Sequence, residues 1–273
     1  MPAPPDPLAF LRALRAAVVH LSTHTPFLRV RVELRQLTKR YGSTPALEDA
    51  SLVLAPGHLV AVIGLNGAGK TTLLRCLSGI VAPTRGQVLC DGQVFHRDRL
   101  DLRRRLMFLP DFPPMYGDMN VLQHVALMLR VYESDTAAIE EAVLRALGEF
   151  DLLPLAHVPV AHLSRGQIYK VALTALLAVN PSLWLLDEPF ASGLDPQGLA
   201  VFKQSVRART AAGGTVIYST QILEIADRFS DLLVVIDRGR IVSTYTRAQL
   251  AALPPEGPDS LESRLRQFRE VTP

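Results

Sequence analysis

Leu59 to Thr72 reads LVAVIGLNGAGKTT. Leu59 to Ile63 form a continuous apolar run, the pattern of a central parallel strand covered on both faces. A glycine-rich turn follows, and a helix starts behind it that is expected to run through Ile80. Gly64 to Thr71 matches G-x-x-x-x-G-K-[ST] in the strand–loop–helix setting that the motif requires. The residue types have physical reasons. Gly64, Gly67 and Gly69 let the backbone, with Leu65, Asn66 and Ala68, wrap closely around phosphates. N–H groups at the helix start point inward. Lys70 supplies a cation for the β- and γ-phosphates, Thr71 a hydroxyl for Mg²⁺, and Thr72 a donor to the α-phosphate. Such a loop defines a nucleoside triphosphate site and leaves open how the energy is used.

The chain around this loop has 273 residues, 48% of them hydrophobic. That is enough for a full core, in one large domain or a domain with a subdomain. The net charge of +3 is not the concentrated basic face of a nucleic-acid binder, and no nucleic-acid partner is expected. Cys76 and Cys90 fit no zinc spacing and no disulfide framework, and read as reduced thiols. The longest apolar candidate, Val171 to Leu186, is interrupted by Asn180-Pro181, so no membrane-spanning helix is expected. Arg12 and Arg15 interrupt what would be the apolar part of a secretory signal.

Residues 1–28 are expected to stand apart. MPAPPDP is proline-rich, and Leu8, Leu11, Leu14, Val18 and Leu21 recur at helical spacing. A short amphipathic helix touching a partner or lipid headgroups is one reading. A loosely packed appendage or an overextended start is the favoured one. From Arg29 the pattern changes. Val30, Val32 and Leu34 alternate as a half-buried strand, Ala46 to Leu54 gives a second, and QVLCDGQVF reads as a hairpin turning at Asp91-Gly92. Leu106 to Leu109 is a short strand. Residues of about 111–180 are mostly helical, with Asn120 capping a helix through Tyr132 and Asp135 capping another through Phe150. Strands and helices then alternate again. Leu183 to Leu186 and Val216 to Tyr218 are strands, Asp195-Pro196 opens a helix, and Leu232 to Ile236 and Ile241 to Tyr245 flank a turn at Arg238-Gly239. An α/β core of residues 29–245 with an inserted helical subdomain is expected, followed by a tail of residues 246–273, helical from Ser260.

SLWLLDEPF supplies a second half to the site. Asp187, at a strand terminus, can hold Mg²⁺ through water, and Glu188 can polarise an attacking water. HLSRGQIYKVAL contains an S-x-x-Q capping box, Ser164 and Gln167. It presents Ser164, Arg165 and Gly166 at a helix start, ready for an anion.

With these motifs in this order, residues 29–245 resemble the nucleotide-binding subunit of an ABC transporter. The resemblance implies an α/β P-loop NTPase core of the ABC ATPase type, with an antiparallel β subdomain and an inserted helical subdomain. It implies ATP and Mg²⁺ as ligands, and a head-to-tail dimer with a second ABC ATPase subunit, identical or not. Each ATP would lie between one subunit's phosphate loop and the other's Ser164-Arg165-Gly166-Gln167. A separate transmembrane permease is implied as partner, with this chain peripheral on the cytoplasmic face of the plasma membrane. Tyr41 in KRYG, after the first strand, stands where the family stacks a ring on adenine. Gly193-Leu194-Asp195 resembles the loop that contacts the opposite subunit, and Phe112 to Gly117 the surface that docks the permease. The single phosphate loop, single signature and short tail resemble exporter-type subunits most.

Four departures from the family pattern bear on catalysis. Arg165 stands where glycine is commoner. Asp111, in FLPDFPPMYG, stands where glutamine usually links Mg²⁺ and the attacking water to the permease contact; its shorter, anionic side chain is expected to reach the metal shell through water. DEPFASGLDP is one residue longer than the commonest spacing. Gln221, in TVIYSTQILEIAD, takes the place of the switch histidine that bonds the γ-phosphate and the catalytic glutamate. A glutamine amide can donate to phosphate but never carries charge. Losing an oxyanion-type donor costs about 3–4 kcal/mol, and a replaced donor costs less. Glu188, Gln221 and Asp111 are therefore the expected catalytic set. Two alternatives stand beside a transport ATPase. One is a nucleotide-gated regulatory module of slow turnover, motivated by Asp111 and Gln221. The other, an ATPase of DNA repair or translation, is disfavoured because the chain has no coiled-coil insertion and no second phosphate loop.

Overall fold

The computed structural model describes residues 29–134 and 137–254, with residues 257, 261 and 263. The amphipathic segment in 1–28, the cap by Asp135 and the helical start at Ser260 lie outside the described residues.

In chain order, the strands are β1 (Val32–Tyr41), β2 (Thr44–Leu54), β3 (Leu59–Ile63), β4 (Arg85–Cys90), β5 (Gln93–Val94), β6 (Leu106–Leu109), β7 (Leu183–Leu186), β8 (Thr215–Thr220), β9 (Leu232–Asp237) and β10 (Arg240–Thr246). The helices are α1 (Lys70–Leu77), α2 (Leu100–Arg103), α3 (Val121–Val131), α4 (Ala137–Glu149), α5 (Arg165–Val179), α6 (Pro196–Ala211), α7 (Leu223–Phe229) and α8 (Arg247–Ala251). They fall into two compact units.

The first unit comprises Leu28–Phe108, Ser182–Pro189 and Ala208–Pro273. One sheet runs β10-β9-β3-β8-β7-β6. Within it β3 pairs in parallel with β8 and β9, and β8 in parallel with β7. Every residue of β3, β7 and β8 is buried. That is why these segments read as unbroken apolar runs rather than alternations. A second, antiparallel sheet runs β2-β1-β4-β5. Between the sheets Leu73, Leu74 and Leu77 of α1 share a core with Val60 and Val62 of β3 and with Val32 and Leu34 of β1. Truncating one such leucine to alanine costs about 2–5 kcal/mol.

The β4–β5 hairpin turns at Asp91 and Gly92, at φ 51° and 78°, the pair of positive angles a two-residue hairpin turn demands. The first strand differs from expectation. It starts at Val32 and continues to Tyr41, so Tyr41 is its last residue and pairs with Thr44. Register shifts between Leu34 and Leu37, and again to either side of Lys39, each reset the two-residue alternation. Past Leu34 the strand therefore has no visible period. The helix after the phosphate loop likewise ends at Leu77 rather than Ile80, because Ser78 closes it and Gly79 takes φ 71°.

The second unit holds Leu109–Pro181 and Phe190–Arg207. Here α3 and α4 both pack on α5. Their facing positions are buried: Val121, Val125 and Leu129 on α3, Val143 and Leu147 on α4, Tyr169, Leu173 and Leu176 on α5. Both α3 and α5 start on full capping boxes, Asn120 with Gln123 and Ser164 with Gln167. Each box satisfies two backbone donors that the helix start otherwise leaves without a partner.

Candidate functional site

The parallel sheet brings three strand ends together. Ile63 of β3 is in register with Thr220 of β8, and Leu186 of β7 with Tyr218 of β8. One residue further along each strand come Gly64, Gln221 and Asp187, with Ser219 reaching the last of these. Ligands of open parallel sheets bind at such carboxyl ends.

A hydrogen-bonded network fills this corner. Thr71 Oγ1 donates to Asp187 Oδ2 at 2.8 Å and lies 3.1 Å from Oδ1. Ser219 Oγ donates to Asp187 Oδ1 at 2.6 Å and accepts from the Glu188 N–H at 2.9 Å. Asp187 is only 4% exposed, and a buried carboxylate is tolerable because hydroxyls satisfy both its oxygens. Glu188 sits at φ 47°, a left-handed conformation that non-glycine residues adopt at a cost. Two anchors hold it there: the Ser219 hydroxyl on its N–H, and Lys70, whose Nζ lies 3.3 Å from its Oε1. Lys70 Nζ also donates to the Gly64 carbonyl at 2.9 Å and the Leu65 carbonyl at 3.2 Å. An ammonium has three protons, so all are engaged.

The loop leaves α1 open at its start. Gly69, the N-cap, has φ 109° and supplies no side-chain cap. A Cβ there would lie 2.6 Å from the Ala46 carbonyl, so neither the angle nor the space admits another residue. The first-turn N–H groups of α1 therefore receive no cap from the N-cap side chain, the condition that suits a helix start to phosphate. The loop is braced from the far side of the sheet: Gly239 N–H donates to the Ala68 carbonyl at 2.8 Å, and its carbonyl accepts from Glu48 N–H at 2.8 Å. Tyr41 is 48% exposed, with Lys39 Nζ 5.1 Å from its ring centroid. The Gln221 side chain is exposed at the end of β8.

Thr71 and Asp187 present adjacent hard oxygens, the donor type that suits Mg²⁺. Among the described residues no group of three or more His, Cys, Asp or Glu could by itself hold a metal.

Ser164, Arg165, Gly166, Gln167 and Asp111 belong to the helical unit. Ser164 N–H donates to Gln167 Oε1 at 2.8 Å, and Gln167 N–H to Ser164 Oγ at 3.3 Å. Gly166 faces Gly193 so closely that a Cβ would come within 2.3 Å of the Gly193 carbonyl oxygen. Behind the helix start, Lys170 Nζ donates to Asp195 Oδ2 at 2.6 Å. That ammonium and the Gly198 N–H hold the Asp195 carboxyl below its usual range. A cavity of about 370 Å³ opens there, lined by Ser164, Gly166, Gln167, Lys170, Gly193 and Asp195. Asp111 is engaged with Arg165, at 2.5 Å.

Two contributors escaped the sequence reading. Ser219 was visible only as a polar residue ending a buried strand, and the register of β7 on β8 is what sets it against Asp187. Gly239 was read as a turn residue, and its bond to the phosphate loop depends on a distant chain segment.

A glycine-rich loop behind a central strand, with β8 between it and the strand that carries the acidic pair, is the arrangement of a P-loop nucleotide hydrolase. Comparison with known proteins narrows this. The model of the family described as ABC transporter matches residues 47–191. The daunorubicin resistance ATP-binding protein DrrA3 of Streptomyces coeruleorubidus is 34% identical over 233 residues, 85% of this chain and 73% of that protein. The methionine import ATP-binding protein MetN of Mesorhizobium japonicum is 34% identical over 258 residues, 86% of this chain and 69% of that protein. The solved structure of an ATP-binding subunit of an ABC transporter superposes with a TM-score of 0.75 at 30% identity, covering 87% of this chain and 93% of that one. The chain belongs to the ABC transporter family, as an ATP-binding and ATP-hydrolysing subunit.

Proposed function

We propose that this subunit powers a separate membrane permease by pairing with a second nucleotide-binding subunit around ATP. The observation that carries the reading is the Lys70–Glu188 pair beside the Thr71–Asp187–Ser219 network. Binding and hydrolysis residues there share one buried corner, and the cation and the base are already in contact.

In this reading the γ-phosphate draws Lys70 from Glu188 and from the loop carbonyls, and the uncapped N–H groups of α1 cradle the phosphate chain. Thr71 and Asp187 would hold Mg²⁺, which when bound neutralises phosphate charge. Glu188, released from Lys70, orients a water in line with the γ-phosphate and accepts its proton. Ser219 keeps Glu188 in its left-handed conformation throughout. Gln221 donates its amide to the γ-phosphate from the end of β8. Tyr41 stacks on the base, as its exposure at the end of β1 allows. Ser164 to Gln167 close on the ATP of the opposite subunit.

The permease would dock on the loop that precedes α3. Phe112 and Tyr116 are 59% and 65% exposed, large apolar surface of the kind that marks a partner contact. His124 fixes this loop, its Nε2 3.0 Å from the Tyr116 N–H and its ring stacked on Tyr116. No helix among the described residues is long and apolar enough to cross a membrane. Relatives named for Nod factor export and for methionine import are 32% and 34% identical to this chain, so the permease is assigned the direction and the cargo.

Steady-state phosphate release with Mg-ATP tests the catalytic assignment. The wild-type chain should turn over at least 100-fold faster than Glu188→Gln, on the order of what one preorganised catalytic group supplies. Equal rates would remove Glu188 from the mechanism and favour the slow, nucleotide-gated module.

A further inference from the structure

Two of the departures from the family pattern are partners of each other. Asp111 and Arg165 are 54 residues apart, and Arg165 Nη2 donates to Asp111 Oδ1 at 2.5 Å. Their side chains are 49% and 47% exposed, so substitution of either leaves the core of the helical unit intact. Arg165 is the first residue of α5. A cation there faces the positive end of the helix macrodipole, which is unfavourable, whereas a carboxylate at the same place is favourable. Each residue alone would be a poor or pointless choice at its position. Together they put a guanidinium on the helix start with its charge already matched.

We infer that Asp111 is a positioning residue for Arg165, an internal stand-in for a nucleotide phosphate that ATP must displace. The inference rests on the reading that a second copy of this chain presents its ATP to Ser164–Gln167. Carboxylate and phosphate are taken by the same planar fork of the guanidinium, so the two anions compete for one cation. While the pair is closed, Arg165 is held over the helix start and its charge is masked. When phosphate takes the guanidinium, Asp111 is released. Asp111 thus sets how much ATP is needed to bring two copies together. This differs from the metal-shell role expected from sequence, under which Asp111 would act through Mg²⁺ and independently of Arg165.

The test is a double-mutant cycle in the full-length Glu188→Gln chain, reading ATP-driven pairing by sedimentation against ATP concentration. Thermal unfolding of each variant serves as a fold control. Asp111→Asn should lower the ATP midpoint by up to about five-fold, the factor equivalent to the upper range for an exposed ion pair. Arg165→Gly should raise the midpoint, and adding Asp111→Asn to it should change nothing further. Arg165→Lys, which keeps the charge and loses the fork, should fall between. An Asp111→Asn shift of the same size with and without Arg165 would overturn the inference, as would a shift in Mg²⁺ requirement alone. A parent that fails to pair at any ATP concentration would instead overturn the underlying dimer reading and this inference with it. A parent that pairs without coupling between the two positions would overturn the inference alone.

Discussion

Ser219→Ala is the sharpest test of how the acidic corner works. Ser219 is 0% exposed, and its one hydroxyl does two things. It donates to Asp187 at 2.6 Å and accepts from the Glu188 N–H at 2.9 Å. Alanine removes a bond to a charged group, a loss of about 1.5–3 kcal/mol, and leaves the Glu188 N–H without its acceptor at about 1 kcal/mol or more. Relaxation recovers part, so a net destabilisation of about 2–4 kcal/mol is expected. In the proposed mechanism the catalytic effect is separate. Glu188 occupies a strained φ of 47°, and without the Ser219 anchor its carboxylate is free to swing away from the attacking water. A displacement near 1 Å costs on the order of 100-fold in rate. Asp187 keeps its Thr71 donor and Lys70 its two loop carbonyls, so KM for ATP should change by less than about three-fold, well under 1 kcal/mol. Phosphate release against ATP concentration, with thermal unfolding of the same sample, separates the two effects. A folded Ser219→Ala enzyme with wild-type kcat would refute the reasoning. A selective rise in KM would place Ser219 in ATP binding instead.

Gln221→His restores a residue that can carry charge at the end of β8. Turnover should equal or exceed wild type, and a sharp fall would show that the corner is built around glutamine. Asp195→Asn removes the carboxylate charge that pairs with Lys170, whose side chain is 7% exposed while that of Asp195 is 54% exposed. Screening at Asp195 brings the expected loss at neutral pH to about 1 kcal/mol. Lys170 lowers the Asp195 carboxyl, so its stabilising contribution is complete above the unfolded pKa near 4 and is lost as pH falls through the lower folded value. The variant should therefore narrow its gap to wild type in acid unfolding, and a gap independent of pH would contradict the assignment. Arg209 is 4% exposed and its guanidinium nitrogens have no hydrogen-bond partner among the described residues. Burial pushes its pKa down to about 10. Arg209→Met should leave stability unchanged or raise it by about 1–4 kcal/mol in urea unfolding, and a loss would reveal a partner for the charge.

What could be read from sequence was what is local. The phosphate loop, the helix cap at Asn120, the capping box at Ser164 and the Asp91-Gly92 turn are each specified within a few residues, so composition and spacing suffice. Buried parallel strands were legible because burial on both faces leaves an apolar run. The far half of β1 was not, because its bulges break the alternation that would have announced it. Ser219 against Asp187, Gly239 against Ala68 and Arg165 against Asp111 depend on strand register or on segments brought together by folding. No local pattern encodes them. The two residues that looked like independent weaknesses, Asp111 and Arg165, take on meaning only as a pair.

The full engagement of Lys70 has a consequence for the working cycle. Its three donors face Gly64, Leu65 and Glu188, so its hydrogen-bonding capacity is fully spent within the corner. Under the proposed mechanism nucleotide arrival is then an exchange of partners, and the same three contacts would recapture the lysine when the phosphate leaves.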